Sequence, residues 1–403
     1  MADRAMPTLK DQPLLPGATL GILGGGQLGM MFAVAARRMG FRVEAISDVA
    51  DCPAARHCDH LHVGSYDDLA FLAAVGKRLD VVTFEFENVP AAAGEAFASV
   101  VPVRPDPRVL FTTQDRGREK AFLVDHGFAC APHRLVHSQE ELEAAVTALG
   151  LPAVLKTAAF GYDGKGQMKL TSQDDVARAW GTIGEGPNGP CECVLEAWIE
   201  FDCEISVVAA RGLDGSTRAF APSRNAHANH ILDVSSVPSG LPEAVLTTAT
   251  DMAVRILASL GVVGVACVEF FVTKEGRVLV NEIAPRTHNS GHLTIEACET
   301  SQFEQQVRAV SGLPLGSTTV RAPAAMANIL GDCWGDNPAT APREPDWAAA
   351  LGVPGVSLHL YGKSEPRIGR KMGHLTATAA TTAEAIDRVT LARRLAFRNS
   401  PSP

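Results

Sequence analysis

Carboxylates and cations carry most of the chemistry that this chain could do. Two apolar runs, Val268–Val272 and Val278–Asn281, flank the polar turn Lys274-Glu275-Gly276-Arg277, which is the pattern of a β-hairpin. Folded about that turn, position 272 lies opposite 279, and Glu269 lies opposite Glu282. Two carboxylates directly across a ladder stand about 5 Å apart and repel each other. Such a pair needs water, a proton or a cation. Taken alone, it reads as a solvated surface pair. Both of these strands are apolar, however, and the second runs into Pro285-Arg286-Thr287-His288-Asn289-Ser290-Gly291-His292, which is dense in hydrogen-bonding groups. Hard oxygen ligands on a rigid hairpin are what Mg²⁺ on nucleotide phosphates requires. The expectation is a magnesium–nucleotide site with Glu269 and Glu282 as metal ligands.

Other residues point the same way. Lys156 lies inside the apolar strand Ala153–Thr157, and a lysine there needs an anionic partner, for which phosphate is a natural choice. Next comes Phe160-Gly161-Tyr162-Asp163-Gly164-Lys165-Gly166-Gln167, whose glycines let the backbone fold over phosphates. It is not a Walker loop, because Gln167 and Met168 follow Gly166. Two readings compete, a plain hairpin turn and a flap over a nucleotide; Lys156 just before it favours the flap. The strand Glu192–Trp198 ends in Glu196-Ala197-Trp198-Ile199 and a short polar break, as in a hinge whose backbone can pair with a purine edge. Glu204 could accept from ribose hydroxyls or stand as a surface strand residue. Asn225, His227 and His230 read as a polar loop. Lys363, Arg367, Arg370 and Lys371 sit among glycines between strands, and guanidinium forks suit a phosphate ester. Alone, that segment is an ordinary basic turn.

These groups need elements to hold them. Thr19–Leu23, a glycine turn, a helix to about Met39 and Arg42–Ile46 form a βαβ start with a GxGxxG fingerprint, and Asp48 stands near the place of a ribose-binding acid. A lone fingerprint of this kind is a weak sign of a dinucleotide. With ligands at the carboxyl ends of parallel strands, Gln27 and Glu87-Asn88 share one crevice. The cluster His57-Cys58-Asp59-His60-Leu61-His62 matches no closed zinc spacing and lies beside an expected edge strand, so a solvated or structural role is expected. Ser138-Gln139-Glu140-Glu141 is a capping box for a helix to about Leu149. Helices are expected over about 242–260, 293–310 and 383–394. Ser290 or Asn289 would cap the second, with its free N–H groups facing the glutamates. Residues 312–323 read as a linker, and Ala325–Leu330 and Val356–Tyr361 read as strands.

The 403 residues allow two or three domains. A formal charge of −9 with no basic stripe argues against a nucleic-acid partner. The first 18 residues lack the apolar segment of a signal peptide, and no run approaches the ~20 apolar residues of a membrane helix. Nine scattered cysteines without a CxxC fit free thiols in a reducing cytoplasm.

The order of parts resembles the ATP-grasp superfamily of carboxylate–amine ligases. Within it, GILGGGQLG (21–29), FEFENV (84–89), KTAAFGYDGKGQ (156–167), NEIAPRTHNSGH (281–292), and YGK followed by RIGRKMGH (361–374) resemble the 5-(carboxyamino)imidazole ribonucleotide synthetase family. The likeness spans nearly the whole chain. It implies an α/β fold, α+β in the lid, with a Rossmann-like pre-ATP-grasp domain, a central lid and a C-terminal mixed domain. The implied parts are a flexible leader (1–17), the pre-ATP-grasp domain (18–115), the ATP-grasp domain with its flap (116–204), its C-terminal half with the metal site (205–315), and an extension completing the ribonucleotide site (316–398).

The implied reaction is ATP- and bicarbonate-dependent carboxylation of 5-aminoimidazole ribonucleotide through carboxyphosphate, in purine synthesis. ATP and Mg²⁺ are the implied cofactors, with no NAD and no biotin, and the family tends to homodimers. For ATP the resemblance implies Arg116, Lys156, the flap residues Gly161, Tyr162, Asp163, Gly164, Lys165, Gly166 and Gln167, the hinge Glu196–Ile199, Glu204, His227, Asn281 and Glu282. For the ribonucleotide it implies Gln27, Glu87, Tyr162, Asp163, His288, Asn289, Ser290, Lys363, Arg370 and Lys371. Catalytic roles fall to Lys156, Asp163, His288 and Lys363. Many ATP-grasp enzymes carry an asparagine where this chain has Ala284, so the metal shell is completed otherwise, by water. Rival readings are another ATP-grasp ligase, a non-catalytic nucleotide-binding protein, and an NAD-dependent oxidoreductase, which explains only the first 50 residues.

Overall fold

The structure is a computed structural model, which describes residues 12–159, 166–186, 189–335 and 337–397. Its first sheet is parallel, in the order β3-β2-β1-β4. The strands are β1 (Thr19–Leu23), β2 (Arg42–Ser47), β3 (His60–Val63) and β4 (Val81–Phe84), with α1 (Gln27–Arg38), α2 (Leu69–Gly76), α3 (Ala91–Ala98) and α4 (Pro107–Thr113) around them. Leu20, Ile22, Val43, Ile46 and Val82 are buried in it, as expected when both faces of a parallel sheet are covered. β3 is the edge strand, and its His62 Nε2 lies 2.6 Å from Glu44 Oε2, which is a structural use of the histidine cluster.

α5 (Arg116–Asp125) leads to a four-stranded antiparallel sheet in the order β5-β10-β6-β7. It comprises β5 (His133–Val136), β6 (Ala153–Thr157), β7 (Gln167–Leu170) and, beyond the small hairpin β8 (Glu185–Gly186) and β9 (Gly189–Pro190), β10 (Cys193–Ala197). α6 (Gln139–Leu149) and α7 (Asp175–Ala179) close its core around Leu142, Leu155, Leu195 and Trp180. Ser138 caps α6 as expected, its Oγ accepting from the Glu141 N–H at 3.1 Å, but the Glu141 carboxylate accepts from the N–H of His137, one residue before the cap.

The largest sheet has nine strands. Eight run β16-β15-β11-β13-β14-β17-β19-β18, and β12 pairs with β11. They are β11 (Phe201–Arg211), β12 (Thr217–Ala219), β13 (Ser223–Ala228), β14 (Ile231–Val237), β15 (Gly264–Thr273), β16 (Val278–Ala284), β17 (Ala324–Leu330), β18 (Val356–Leu360) and β19 (Lys371–Thr378). The helices are α8 (Glu243–Leu260), α9 (Thr294–Ala297), α10 (Gln302–Ser311), α11 (Trp347–Leu351) and α12 (Thr382–Ala396). α8 buries Val245, Ala249, Ala253, Ile256 and Leu257, a helical stripe that packs on β11 and β15.

Four expectations change. Near the turn the hairpin pairs Val272 with Val278, not with 279; a bulge at Asn281 then restores the register, so Glu269 does face Glu282. The helix expected over 293–310 is two helices. Cys298 is extended and bridges to Val320, and Ser301 caps α10 by accepting from the Glu304 N–H. The helix that follows His292 is therefore the short α9, and α10 starts only after Ser301. Asn225 and His227 belong to β13, and only Asn229 and His230, both at positive φ, form the turn to β14. Within the expected leader, the Leu14 N–H donates to Ser311 O at 2.7 Å, so residues 12–17 are docked.

Candidate active site

The three sheets meet around a cavity of about 1300 Å³. The hinge Glu196–Ile199 lines one end, with Arg116, Lys156, Gln167, Glu204, His227 and Asn281. The Glu196 carboxylate is buried. It accepts from Lys156 Nζ at 2.9 Å, with Lys120 Nζ at 3.6 Å. Burial alone would raise its pKa, but the two lysines hold it down at about 2. The anionic partner of Lys156 in the protein itself is thus a carboxylate; the sequence had suggested phosphate. Burial also lowers the Lys156 pKa, with Arg116 and Lys120 adding to it and Glu196 opposing. Glu204 Oε2 meets His227 Nδ1 at 2.6 Å, and both side chains face the cavity.

At the middle stand the paired glutamates. His288 Nε2 lies 2.9 Å from Glu269 Oε1, and Arg116 Nη1 lies 3.3 Å from Glu282 Oε2. Burial pushes the Glu269 carboxyl up, but the imidazolium beside it wins and holds it at about 2. Burial opposes charge on His288, yet Cys267 and Glu269 push its pKa up to about 10. β16 is an edge strand, and α5 and its following loop cover that edge. Lys120 Nζ donates to Asn281 O at 2.8 Å, Glu119 accepts from the Ile283 N–H at 2.9 Å, and the Val280 N–H donates to Ala129 O. Burial pushes the Glu119 carboxyl up to about 8. The donor set fits magnesium: two hard carboxylates facing each other across one rung of the β15–β16 ladder, each with oxygen lone pairs to spare. Among the described residues no three His, Cys, Asp or Glu side chains gather as a metal site. The remaining ligands would come from phosphate and water.

The other end is lined by Gln27, Glu87, Asn289, His292 and Lys371. Arg286 forks onto Glu87, with Nη2 at 2.7 Å from Oε1. Burial works against the Glu87 charge, but Arg286 outweighs it and lowers the pKa. Asn289 and Asn328 exchange amide hydrogen bonds of 3.0 and 2.5 Å. Ser290 stands behind the wall, bonded to Ser206 and His288. The cationic cluster divides. Lys371 enters the cavity, while Lys363 donates to Lys371 O at 2.8 Å and Arg370 to Glu365 O at 2.6 Å. Burial, with Arg370 and Lys371 adding, lowers the Lys363 pKa to about 8. Gly161, Tyr162, Asp163, Gly164 and Lys165 lie outside the described residues. Gly166 does not line the cavity; it sits at φ +71°, and its carbonyl accepts from the Thr157 N–H at the flap's end.

Three family models match: a ribonucleotide synthetase preATP-grasp domain (17–114), an ATP-grasp domain (121–303) and a phosphoribosylaminoimidazole carboxylase C-terminal domain (324–388). The N5-carboxyaminoimidazole ribonucleotide synthase of Brucella melitensis is 44% identical over 365 residues, covering 90% of this chain and 97% of that relative. The chain belongs to this family. The Bacillus subtilis synthase is 38% identical over 382 residues, covering 95% and 97%. A crystal structure of an N5-carboxyaminoimidazole ribonucleotide synthetase in complex with ADP superposes with TM-score 0.87 at 38% identity, covering 96% of this chain and 99% of that one. The Aspergillus clavatus synthase with ADP and 5-aminoimidazole ribonucleotide gives 0.86 at 30%, covering 96% and 100%. The ATP-grasp fold and ligase class expected from the sequence are therefore correct.

Within this synthase fold the glycine fingerprint has an internal tenant. Glu85 accepts from the Gly26 and Gly29 N–H groups, the latter at 2.7 Å. A Cβ on Gly24 would lie 2.2 Å from Glu85 Cγ, and one on Gly26 2.5 Å from Oε1. The glycines make room for a carboxylate where a dinucleotide fold would place pyrophosphate. Sequence reasoning did not single out Glu85, Lys120, Arg286, His292 or Asn328. Arg286 and His292 stood inside the quoted NEIAPRTHNSGH stretch. Lys120 had a signal too, a lysine on the apolar side of α5. Nothing local marks Asn328, because its partner is distant in sequence.

Proposed function

We propose that this chain carboxylates the exocyclic amine of 5-aminoimidazole ribonucleotide with ATP and bicarbonate in this cavity. The observation that carries the reading is that one cavity is lined by Lys156 and the hinge at one end, the Glu269–Glu282 pair at the middle, and Lys371 with the Arg286–Glu87 fork at the other end. Adenine lies along Ala197–Ile199, and Glu204 with His227 faces the ribose. Lys156 and Arg116 balance the phosphate charge. Held by Glu269 and Glu282, magnesium would neutralise charge on the nucleotide phosphates.

Bicarbonate oxygen attacks the γ-phosphorus, the bond to ADP breaks, and carboxyphosphate forms. It splits to CO₂ and phosphate, and the amine adds to CO₂ and loses one proton. The role expected of the flap 161–167, of which 161–165 lie outside the described residues, is to exclude water from the intermediate. His288, which lines the cavity beside Glu269, faces the transferred carboxyl. Lys371, oriented by Lys363 and Arg370, holds the ribonucleotide phosphate. The working parts are 18–115, 116–204, 205–315 and 316–398. The enzyme works as a cytoplasmic homodimer; among the described residues no helix is long and apolar enough to cross a membrane. The test is ADP release with bicarbonate, with and without the ribonucleotide. Release should depend on the ribonucleotide; release that ignores it would sink the substrate assignment and leave another ATP-grasp ligase.

A further inference from the structure

Glu196 is shared by two lysines, and its two oxygens differ. Oε2 is bonded to Lys156 at 2.9 Å. Oε1 is buried, has no hydrogen-bond partner among the described residues, and has Lys120 at 3.6 Å. Lys120 is wholly buried and held from elsewhere, by the carbonyl of the bulged Asn281 at 2.8 Å. Its place therefore does not depend on Lys156. The other titratable groups facing this carboxylate are Arg116 on α5 and Cys130 in the loop after it. Arg116 is already engaged by Glu282.

A lysine that serves nucleotide phosphates must release the carboxylate it rests on. A carboxylate stranded at 3% exposure would then take up a proton. We infer that Lys120 is a positioning residue that serves as the standing counter-charge of Glu196, so that Lys156 moves to the nucleotide while the hinge carboxylate stays ionised. This rests on the nucleotide reading of the cavity. The gap of 3.6 Å to Oε1 leaves room for the Lys120 contact to tighten as the Lys156 contact is lost.

Calorimetric titration with Mg–ADP in buffers of different ionisation enthalpy tests it. The wild type should bind with no proton uptake. Lys120→Met should take up about one proton per ADP, and its affinity should improve by up to about tenfold for each pH unit lowered. Lys120→Met/Glu196→Gln should bind with no uptake again. Equal uptake in the wild type and Lys120→Met overturns the handover, whereas a wild type that binds no ADP removes the nucleotide reading itself. Lys156→Met gives a second route, because it leaves Lys120 as the one lysine beside Glu196, with Arg116 engaged by Glu282. Its melting temperature should follow the wild type's pH dependence from roughly pH 6 to 8. An unpaired Glu196 would have a folded pKa above its unfolded one, and its stability would be lost as pH rises. A melting temperature that falls with pH relative to the wild type would therefore overturn the proposal.

Discussion

Lys371 faces the cavity, and Lys363 grips its carbonyl. Lys371→Ala should raise the ribonucleotide KM by about 10- to 200-fold, the loss of one charge-assisted contact of roughly 1.5–3 kcal/mol, and leave the ATP KM within twofold. Lys363→Ala should act the same way, through the carbonyl it holds. Equal losses on ATP in steady-state kinetics would refute both. The Glu87–Arg286 fork carries a pH signature. The folded pKa of Glu87 is lowered, so its stabilisation is complete above the unfolded value of about 4.3 and fades as pH falls through the folded one. Glu87→Gln should lower stability at pH 7 by about 1–3 kcal/mol, and the difference from wild type should shrink below roughly pH 4; paired denaturant titrations measure it. Residue types gave away Glu269 and Glu282 early, since like charges across a ladder demand an explanation. They gave no warning of Asn328, which reaches Asn289 only through the fold.

At the scale of elements, most strands and helices were readable because periodicity and caps are local. β1 and α6 fall where the sequence put them. The failure at 293–310 is also instructive. Ser301-Gln302-Phe303-Glu304 is itself a capping box, so the signal for a second helix start was in the text. Ser301→Ala should cost about 0.5–2 kcal/mol and leave the KM values unchanged, as read from urea midpoints and kinetics. The hairpin register could not be read in full, because the bulge at Asn281 is fixed by contacts from α5. α8 works only as a packed backing for β11 and β15. Ile256→Ala should cost about 2–5 kcal/mol in thermal or denaturant unfolding with kcat intact.

At the scale of the molecule, one sheet runs from the glutamate strand β16 to β19, which begins at Lys371. The glutamate pair and Lys371 are thus set on one framework. Ligand linkage follows. Mg–ADP at 100 times its Kd should raise unfolding free energy by about 2.7 kcal/mol, seen as a higher melting temperature; no shift would argue against a nucleotide site. The order of these parts along the chain was legible. Their meeting in space was inferred by resemblance, since strand order within a sheet depends on contacts between distant segments.

The carboxylate of Glu85 inside the glycine turn has a thermodynamic corollary. A turn that carries its own anion is ordered without a guest. The wall beside Gln27 is therefore set during folding, before any ribonucleotide arrives. Whatever entropy that wall gives up is lost once in the life of the protein and not again at each turnover.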